Sequence, residues 1–447
     1  MPTKGIHTVT VPGAVDGWDK LLKRFGKKSF ADVLAPAITY AEQGFSVGEV
    51  VSVYWRDSEK TLREDAPTAK TYLVGGHAPT VGDVFRNPEL SWTYRQIAAG
   101  GRDAFYKGEV AKRILATSAS HGGTMNAADL SEFESEWADP ISTTYRGWTV
   151  YELPPNGQGI AALEMVNIMS RFPLGSYGFQ SAKAFHVMIE AKKLAYADLL
   201  RYVGDPRFSR IPVEQILSAE NADARAKAID ENRAQCRVEP ALFASLEQGA
   251  SETVYLSAID ADGNIVSLIQ SNYSEFGSRL VPARAGFVLQ NRGALFTLER
   301  GRPNTLAPRK RPLHTIIPAF MAKGDTTIGF GIMGGWNQSQ AHAQFVSDVA
   351  DFGLTIQQAL EAGRFTKTTF DGCDVQLESR VPEATIAALR GLGHEVQLQG
   401  PRTSDFGFGQ AVMSNGAGVH FGASDPRHDG AAIPQPPPLA PLTPRPR

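Results

Sequence analysis

Apolar positions follow helical spacing through the first half of the chain and strand spacing through much of the second. Trp18, Leu21, Leu22 and Phe25 fall on one helical stripe, and Phe30–Gln43 forms a second amphipathic helix that Gly44 stops. Gly147–Leu153 reads as a short strand, broken by Pro154-Pro155-Asn156-Gly157 before a helix over Ala161–Phe172. Ala182–Tyr202 is the longest predicted helix, with Phe185, Met188, Ile189 and Leu199 on its apolar side, and Asp223–Asn232 reads as a charged, solvated helix. From Thr253 the pattern shifts. Strands are predicted over Gly286–Gln290, Thr315–Met321 and Thr326–Ile332, each rich in β-branched or aromatic residues. Helices over Gln340–Asp351 and Ile356–Ala362 follow, then a strand-rich segment to about Phe421. Helices first and clustered strands later predict a layered α+β fold. Residues 431–447, dominated by proline, cannot pack a core and read as an extended, disordered tail.

The stretch T-V-Y-L-S-A-I-D-A-D-G-N-I-V-S-L-I-Q-S from Thr253 reads as two strands around a tight turn. Ala261-Asp262-Gly263 suits a three-residue loop, a type I turn closed by a left-handed glycine. Asp260 then faces Asn264, and counting outward sets Thr253 opposite Ser271. Two hydroxyls meet at the open end of the hairpin. A threonine hydroxyl is a weak nucleophile until a base takes its proton, and a threonine freed by backbone cleavage carries that base as its own α-amine. The small and polar residues L-E-Q-G-A-S-E ahead of Thr253 give such a cut a loop to fall in.

Composition narrows the field. At 447 residues the chain is long enough for two or three domains, and 42% apolar with 21% charged residues describes an ordinary globular protein. A net charge of −2 gives no general attraction to nucleic acid or to an anionic membrane. The local basic run Arg300, Arg302, Arg309, Lys310, Arg311 reads as a solvated loop or an anion-facing rim. Two cysteines, Cys236 and Cys373, are too few for a disulfide framework, and no histidine, cysteine or acidic cluster has metal-ligand spacing. No run approaches a membrane span, and the first twenty residues lack an apolar signal core, so the default expectation is the cytoplasm with no membrane partner.

From Val11 to about Arg427 the chain resembles the γ-glutamyltransferase family of N-terminal-nucleophile hydrolases. The matching stretches are V-P-G-A-V-D-G-W at Val11–Trp18, D-V-L-A-P-A-I from Asp32, Y-R-G-W-T-V-Y at Tyr145–Tyr151, K-L-A-Y-A-D at Lys193–Asp198, G-D-P-R-F at Gly204–Phe208, the hairpin, M-G-G at Met333–Gly335 and G-A-S-D-P-R at Gly422–Arg427. The resemblance implies a four-layer αββα sandwich and self-cleavage between Glu252 and Thr253. It divides the chain into a large-subunit region 1–252, mainly helical, and a small-subunit region 253–430 that stay together, ahead of the tail 431–447. It also implies an acyl-enzyme on Thr253, Ser271 as its helper in place of the family's threonine, and the backbone of Gly334 and Gly335 as the oxyanion hole. No cofactor is needed. Family members usually carry roughly a hundred residues ahead of Val11, including core elements whose loss would exceed the ~5–15 kcal/mol net stability of a domain. The resemblance therefore implies a start farther upstream, or a shortened and inactive member.

Departures from the family pattern carry the substrate reading. Arg292 and Leu295 stand where transpeptidase members read an α-amino group with a glutamine and an acid. His314-Thr315 replaces a serine pair, Trp336 follows the glycine pair in place of serine, and Tyr273 joins Arg292, His314 and Thr315 as a substrate-binding candidate. An arginine fork suits a carboxylate and repels an ammonium. The Q-N-R-G version resembles the branch that includes oxamate amidohydrolase and cephalosporin-acylase-like members. The expected activity is hydrolysis of a small amide, γ-glutamyl or oxamate-like, with the glutathione-hydrolysing transpeptidase and the inactive member as alternatives. From a different class, Gly329-Phe330-Gly331-Ile332-Met333-Gly334 is a literal G-x-G-x-x-G with Asp348 or Asp351 as ribose acid, but no βαβ repeat surrounds it.

Overall fold

The structure is a computed structural model that describes residues 1–238 and 253–435. Glu252, the segment before Thr253 and most of the proline-rich tail lie outside the described residues. In chain order the strands are β1 (Phe45–Ser46), β2 (Val84–Phe85), β3 (Ile141–Tyr145), β4 (Trp148–Glu152), β5 (Thr253–Ile259), β6 (Ile265–Ser271), β7 (Ala319–Lys323), β8 (Thr326–Ile332), β9 (Phe365–Thr366), β10 (Asp374–Glu378), β11 (Glu395–Gln399), β12 (Gly409–Ser414) and β13 (His420–Ser424). The main sheet runs β13-β12-β8-β7-β4-β3, antiparallel throughout. The fold is α+β.

One face of this sheet is covered by the helices Gly159–Met169, Ala182–Tyr202 and Gln338–Ala350. Phe330 of β8 stacks on Phe345 at 4.5 Å there, within a core that includes Met165, Met188 and Met321. The Ala182–Tyr202 helix is buried on every side from Ala184 to Leu199, not along one stripe. Its lysines survive burial because each has acceptors: Lys192 Nζ donates to the Thr369 carbonyl, and Lys193 Nζ to Glu190 and the Gln235 carbonyl. A separate helical unit, built on Ala14–Phe25, Phe30–Gln43, Pro88–Tyr106 and Glu109–Ser120, has its own core around Leu34, Ile97 and Ile114. Here the Trp18–Phe25 stripe is only partly right. Phe25 is exposed, and the helix turns Val15, Asp16 and Asp19 inward because Arg102 and Ser135 hold the Asp16 carboxylate.

The β5–β6 hairpin packs on the opposite face of β8. Side chains alternate across a strand, so Ile328, Phe330 and Ile332 face the helices while Gly329 and Gly331 face the hairpin. A Cβ on Gly331 would stand 2.4 Å from the Tyr255 ring, and one on Gly329 would stand 2.6 Å from Ile265. The first glycines of the G-x-G-x-x-G are therefore strand residues that let another backbone come close, not a phosphate-binding turn. Asp348 and Asp351 lie at the far end of the following helix, where Asp351 accepts from Tyr145 and Arg146. On the hairpin's outer face Val254, Leu256 and Val266 are exposed. Over the described residues the layers are thus helices, a six-stranded sheet and a two-stranded one, and no second helical layer covers the hairpin.

Other expectations shift for local reasons. Gly286–Gln290 is not a strand: Gly286 has φ 75° against the Asn87–Leu90 turn, and the Val288 amide goes to the Tyr72 hydroxyl. The Thr315–Met321 strand starts only at Ala319, after Pro318, because the Ile317 amide is taken by Gln338. The charged helix is Ala219–Lys227, capped by Ser218. A helix over Glu383–Gly391 interrupts the strand-rich end. Cys236 and Cys373, too few for a framework, nevertheless pair as a disulfide. A disulfide belongs to oxidising compartments, which weighs against the cytoplasmic default. No helix among the described residues is long and apolar enough to cross a membrane.

Gly331→Ala should destabilise the protein by about 1–3 kcal/mol, the usual effect of overpacking a filled contact. Gly391→Ala, whose new methyl meets nothing within 4 Å, should be neutral or slightly stabilising in the same denaturant titration. Equal stability of the two variants would remove the close-approach role of Gly331.

Candidate active site

The hairpin brings Thr253 and Ser271 together as the residue count predicts. Gly263 closes the loop at φ 83°, the Asp260 amide donates to the Asn264 carbonyl, and Thr253 pairs with Ser271. Thr253 Oγ1 lies 3.1 Å from Ser271 Oγ, which also accepts from the Tyr273 amide at 2.8 Å. Tyr273 holds φ 81°, a conformation a non-glycine residue adopts at roughly 1–3 kcal/mol, and it is this bend that turns its N–H back onto Ser271. Thr253 and Tyr255 point to the sheet, so the nucleophile candidate is buried over the apolar cluster Tyr255, Ile269, Met333 and Phe408.

A cavity of about 1710 Å³ opens beside Thr253, with Ser271, Arg292 and His314 in its wall. Thr315, Tyr273, Gly334 and Gly335 do not line it; Thr315 and Tyr273 stand behind Arg292. Arg292 Nη1 donates to Thr315 Oγ1 at 2.6 Å, and the guanidinium sits 4.9 Å from the centre of the Tyr273 ring. The side chain is 3% exposed, forms no ion pair among the described residues, and its Nη2 has no hydrogen-bond partner. Burial pulls its pKa down to about 9, which still leaves the cation charged at neutral pH. Leu295 is buried in the main core, so no acid stands beside Arg292 at that position. Burial, then Arg292 and Arg311, push the His314 pKa well below its ordinary value and keep that imidazole neutral.

The Gly334-Gly335 turn follows β8 and leads into the Gln338–Ala350 helix. Both residues have left-handed φ, 127° and 58°, which only glycine adopts freely. Neither amide donates a hydrogen bond to any described residue, and both sit at the start of a helix, where unpaired N–H groups favour developing negative charge. The turn is held from both sides. The Met333 amide donates to the Phe408 carbonyl at 2.9 Å, and Gln158 Nε2 donates to the Gly335 carbonyl at 2.7 Å. Trp336 does not crowd the cavity; its ring turns into the main core against Phe370, and its carbonyl accepts from Tyr196.

Sequence reasoning missed two supports. Gln158 directly follows the strand-breaking Pro154-Pro155-Asn156-Gly157, and nothing in that run marks it. The second is a buried ion network in which Arg364 reaches the Gly407 carbonyl and Asp425, while Arg427 pairs with Glu378 and Asp425. The basic run at the cavity mouth is largely neutralised, Arg309 by Glu132 and Arg311 by Glu136. His186, Glu190 and His394 cluster within 4.8 Å of one another elsewhere, but Lys193 already pairs with Glu190 and would oppose a cation.

Thr253 and Ser271 thus meet at the head of the hairpin, beside a cavity that Arg292 also lines. The family model described as gamma-glutamyltranspeptidase matches residues 1–435, and the chain belongs to that family of hydrolase proenzymes. It is 36% identical over 440 residues to the glutathione hydrolase-like YwrD proenzyme of Bacillus subtilis, covering 97% of this chain and 82% of that protein. It is 32% identical to the oxamate amidohydrolase proenzyme of Klebsiella pneumoniae, covering 97% of this chain and 82% of the relative. The cephalosporin acylase of Bacillus halodurans matches the structure with a TM-score of 0.88 at 40% identity, covering 96% of this chain and 79% of that one.

Burial of an uncompensated cation lowers stability unless a ligand repays it. Arg292→Met should therefore raise the ligand-free unfolding free energy at neutral pH by about 1–4 kcal/mol. A loss of stability in chemical denaturation would mean that Arg292 is a structural strut.

Proposed function

We propose that this chain is a self-processing amidohydrolase that cleaves a small amide bearing a carboxylate. The carrying observation is Arg292, a buried cation in the wall of the cavity that Thr253 shares, whose Nη2 has no hydrogen-bond partner. In maturation Thr253 Oγ1 attacks the Glu252 carbonyl carbon and the peptide shifts from nitrogen to oxygen as an ester. Water then hydrolyses that ester, leaving the Glu252 carboxylate and a free α-amine on Thr253. That amine takes the Thr253 hydroxyl proton as the oxygen attacks the substrate amide. The negative charge on the former carbonyl oxygen is stabilised by the Gly334 and Gly335 amides, donors of a kind worth roughly 3 kcal/mol each. The α-ammonium returns its proton to the departing amine, and water releases the acyl group as a carboxylate. Ser271 holds the Thr253 hydroxyl in line, and His314, kept neutral, leaves Arg292 as the charge that meets the substrate.

The oxamate and acylase relatives support this substrate class, as does the absence of an acid at Leu295. A γ-glutamyl amino acid would set its ammonium against Arg292. The division into residues 1–252 and 253–430 belongs to the same reading. Cleavage at Glu252–Thr253 leaves Cys236 and Cys373 on different pieces, joined by the disulfide.

Maturation has a direct test. Thr253→Ala should remain one chain while Thr253→Ser is cut, and the mature protein should run as one species on a non-reducing denaturing gel and as two after reduction. Efficient cutting of the alanine variant at residue 252 removes Thr253 from the mechanism, and an uncut wild type leaves the inactive member standing.

Arg292→Gln tests the substrate class. It should mature normally, because self-cleavage needs no substrate anchor, yet lose roughly 30- to 1,000-fold in kcat/KM on oxamate-like amides, as a broken charged contact of about 2–4 kcal/mol predicts. Arg292→Lys should recover only part of the loss. Unchanged kcat/KM in Arg292→Gln, or preferred turnover of glutathione by the wild type, overturns the carboxylate reading.

A further inference from the structure

Gln158 reaches both halves of the site with a single side chain. Its backbone is locked first: the Gln158 amide donates to the His314 carbonyl at 3.1 Å, and the Gln158 carbonyl accepts from Ser339 Oγ at 2.8 Å. Its side-chain Nε2 then donates to two carbonyls, Thr315 at 2.6 Å and Gly335 at 2.7 Å. Two carbonyl acceptors require an NH₂ group, so the amide orientation follows from its partners. Thr315 is the residue whose hydroxyl receives Arg292 Nη1, and Gly335 belongs to the turn with the open amides. One nitrogen thus spans from the carboxylate anchor to the oxyanion turn.

Packing alone does not account for a glutamine here. The side chain is fully buried, and its Oε1 has no hydrogen-bond partner. Leucine or methionine would fill a similar volume without an orphaned acceptor, so what the amide adds is the pair of bonds from Nε2. Those bonds add a side-chain tie to a turn otherwise held through its backbone, where the Gln338 amide also donates to the Gly335 carbonyl and the Met333 amide to the Phe408 carbonyl. Gly335 has no side chain to restrain it, and its carbonyl orientation sets the plane next to the amide that faces the substrate oxygen.

We propose that Gln158 is a positioning residue that fixes the separation between the Arg292 anchor and the Gly334-Gly335 turn, and thereby the length of acyl group the enzyme accepts. The inference rests on Thr253 as nucleophile and on Arg292 as carboxylate anchor. An amide whose carboxylate and reacting carbonyl match that separation places its oxygen at the glycine amides; one longer or shorter by a methylene does not. Gln158 lies in the large-subunit region and both its acceptors lie in the small one, so the gauge also spans the two pieces after cleavage.

The experiment compares wild type, Gln158→Met and Gln158→Glu on oxamate, malonamate and succinamate, whose chains differ by one methylene. Wild type should prefer one length. Gln158→Met should mature and lose about 10- to 100-fold in kcat on that substrate, the scale of an ångström-sized misplacement, while its preference among the three lengths collapses. Gln158→Glu sets a carboxylate against two carbonyls, so its activity relative to wild type should rise as pH falls and the protonated acid donates to one of them. Unchanged length preference in Gln158→Met overturns the proposal, even if that variant is less stable. Should Gln158→Met fail to fold, a Gln158→Glu to wild-type ratio that is flat with pH does the same. A wild type that matures but ignores all three amides refutes the Arg292 reading instead, and one that never matures refutes Thr253.

Discussion

Everything at this site depends on how closely the β5–β6 hairpin approaches β8. Two glycines in alternate positions of β8 leave no Cβ on that face, and the Tyr255 ring and Ile265 fill the space a side chain would take. The contact sets the height of the hairpin over the sheet, and with it the position of Thr253 relative to the turn that leaves the end of the same strand. The proposed nucleophile and oxyanion donors are thus registered through one strand: β8 carries Gly331 beneath Tyr255 and leads directly into the Gly334-Gly335 turn. A strand is stiff over this distance, so the two features cannot drift independently.

A second layer of support lies behind the turn. Arg364 ties the Gly407 carbonyl to Asp425, Arg427 binds Asp425 and Glu378, and the next carbonyl along, Phe408, receives the Met333 amide. Buried charges of this kind are weak evidence for stability, because desolvation offsets much of their attraction. Their effect here is geometric: charged partners with several donors each leave the Gly407–Phe408 backbone few alternative positions. The motifs that carry the family resemblance have the same character. Asp425 and Arg427 of G-A-S-D-P-R, Asp205 and Arg207 of G-D-P-R-F, and Lys193 and Asp198 of K-L-A-Y-A-D all form ion pairs. They are struts rather than reacting groups.

Arg292 shows the opposite compromise. A cation buried without an anion is unfavourable for the fold, and Thr315 and the Tyr273 ring compensate it only in part. The remaining unpaired donor is what recommends Arg292 as the proposed anchor, since a substrate carboxylate would supply the missing partner on binding. The same reasoning applies to the unpaired amides of Gly334 and Gly335. Both are places where the folded protein leaves hydrogen-bonding capacity unused.

The sequence by itself determined the local features. Alternation and an A-D-G turn placed Thr253 opposite Ser271, because a strand period of two and a fixed loop length leave one register. The 3.6-residue pattern located the Phe30–Gln43 and Ala182–Tyr202 helices but not Pro88–Tyr106, and β8 was legible to the residue. Tertiary structure decided the rest. The Trp18–Phe25 stripe yielded to Asp16 because an arginine and a serine distant in sequence hold that carboxylate. Gly286–Gln290 has strand-forming residues but no neighbouring strand, and its amides go to Tyr72 and Leu280 instead. Cys236 and Cys373 are 137 residues apart, a separation from which no pairing follows until the chain has folded. Gln158 and the open side of Arg292 were likewise invisible, since an unsatisfied donor or a bridge between two carbonyls is a property of distances, and distances between remote residues exist only in the packed molecule.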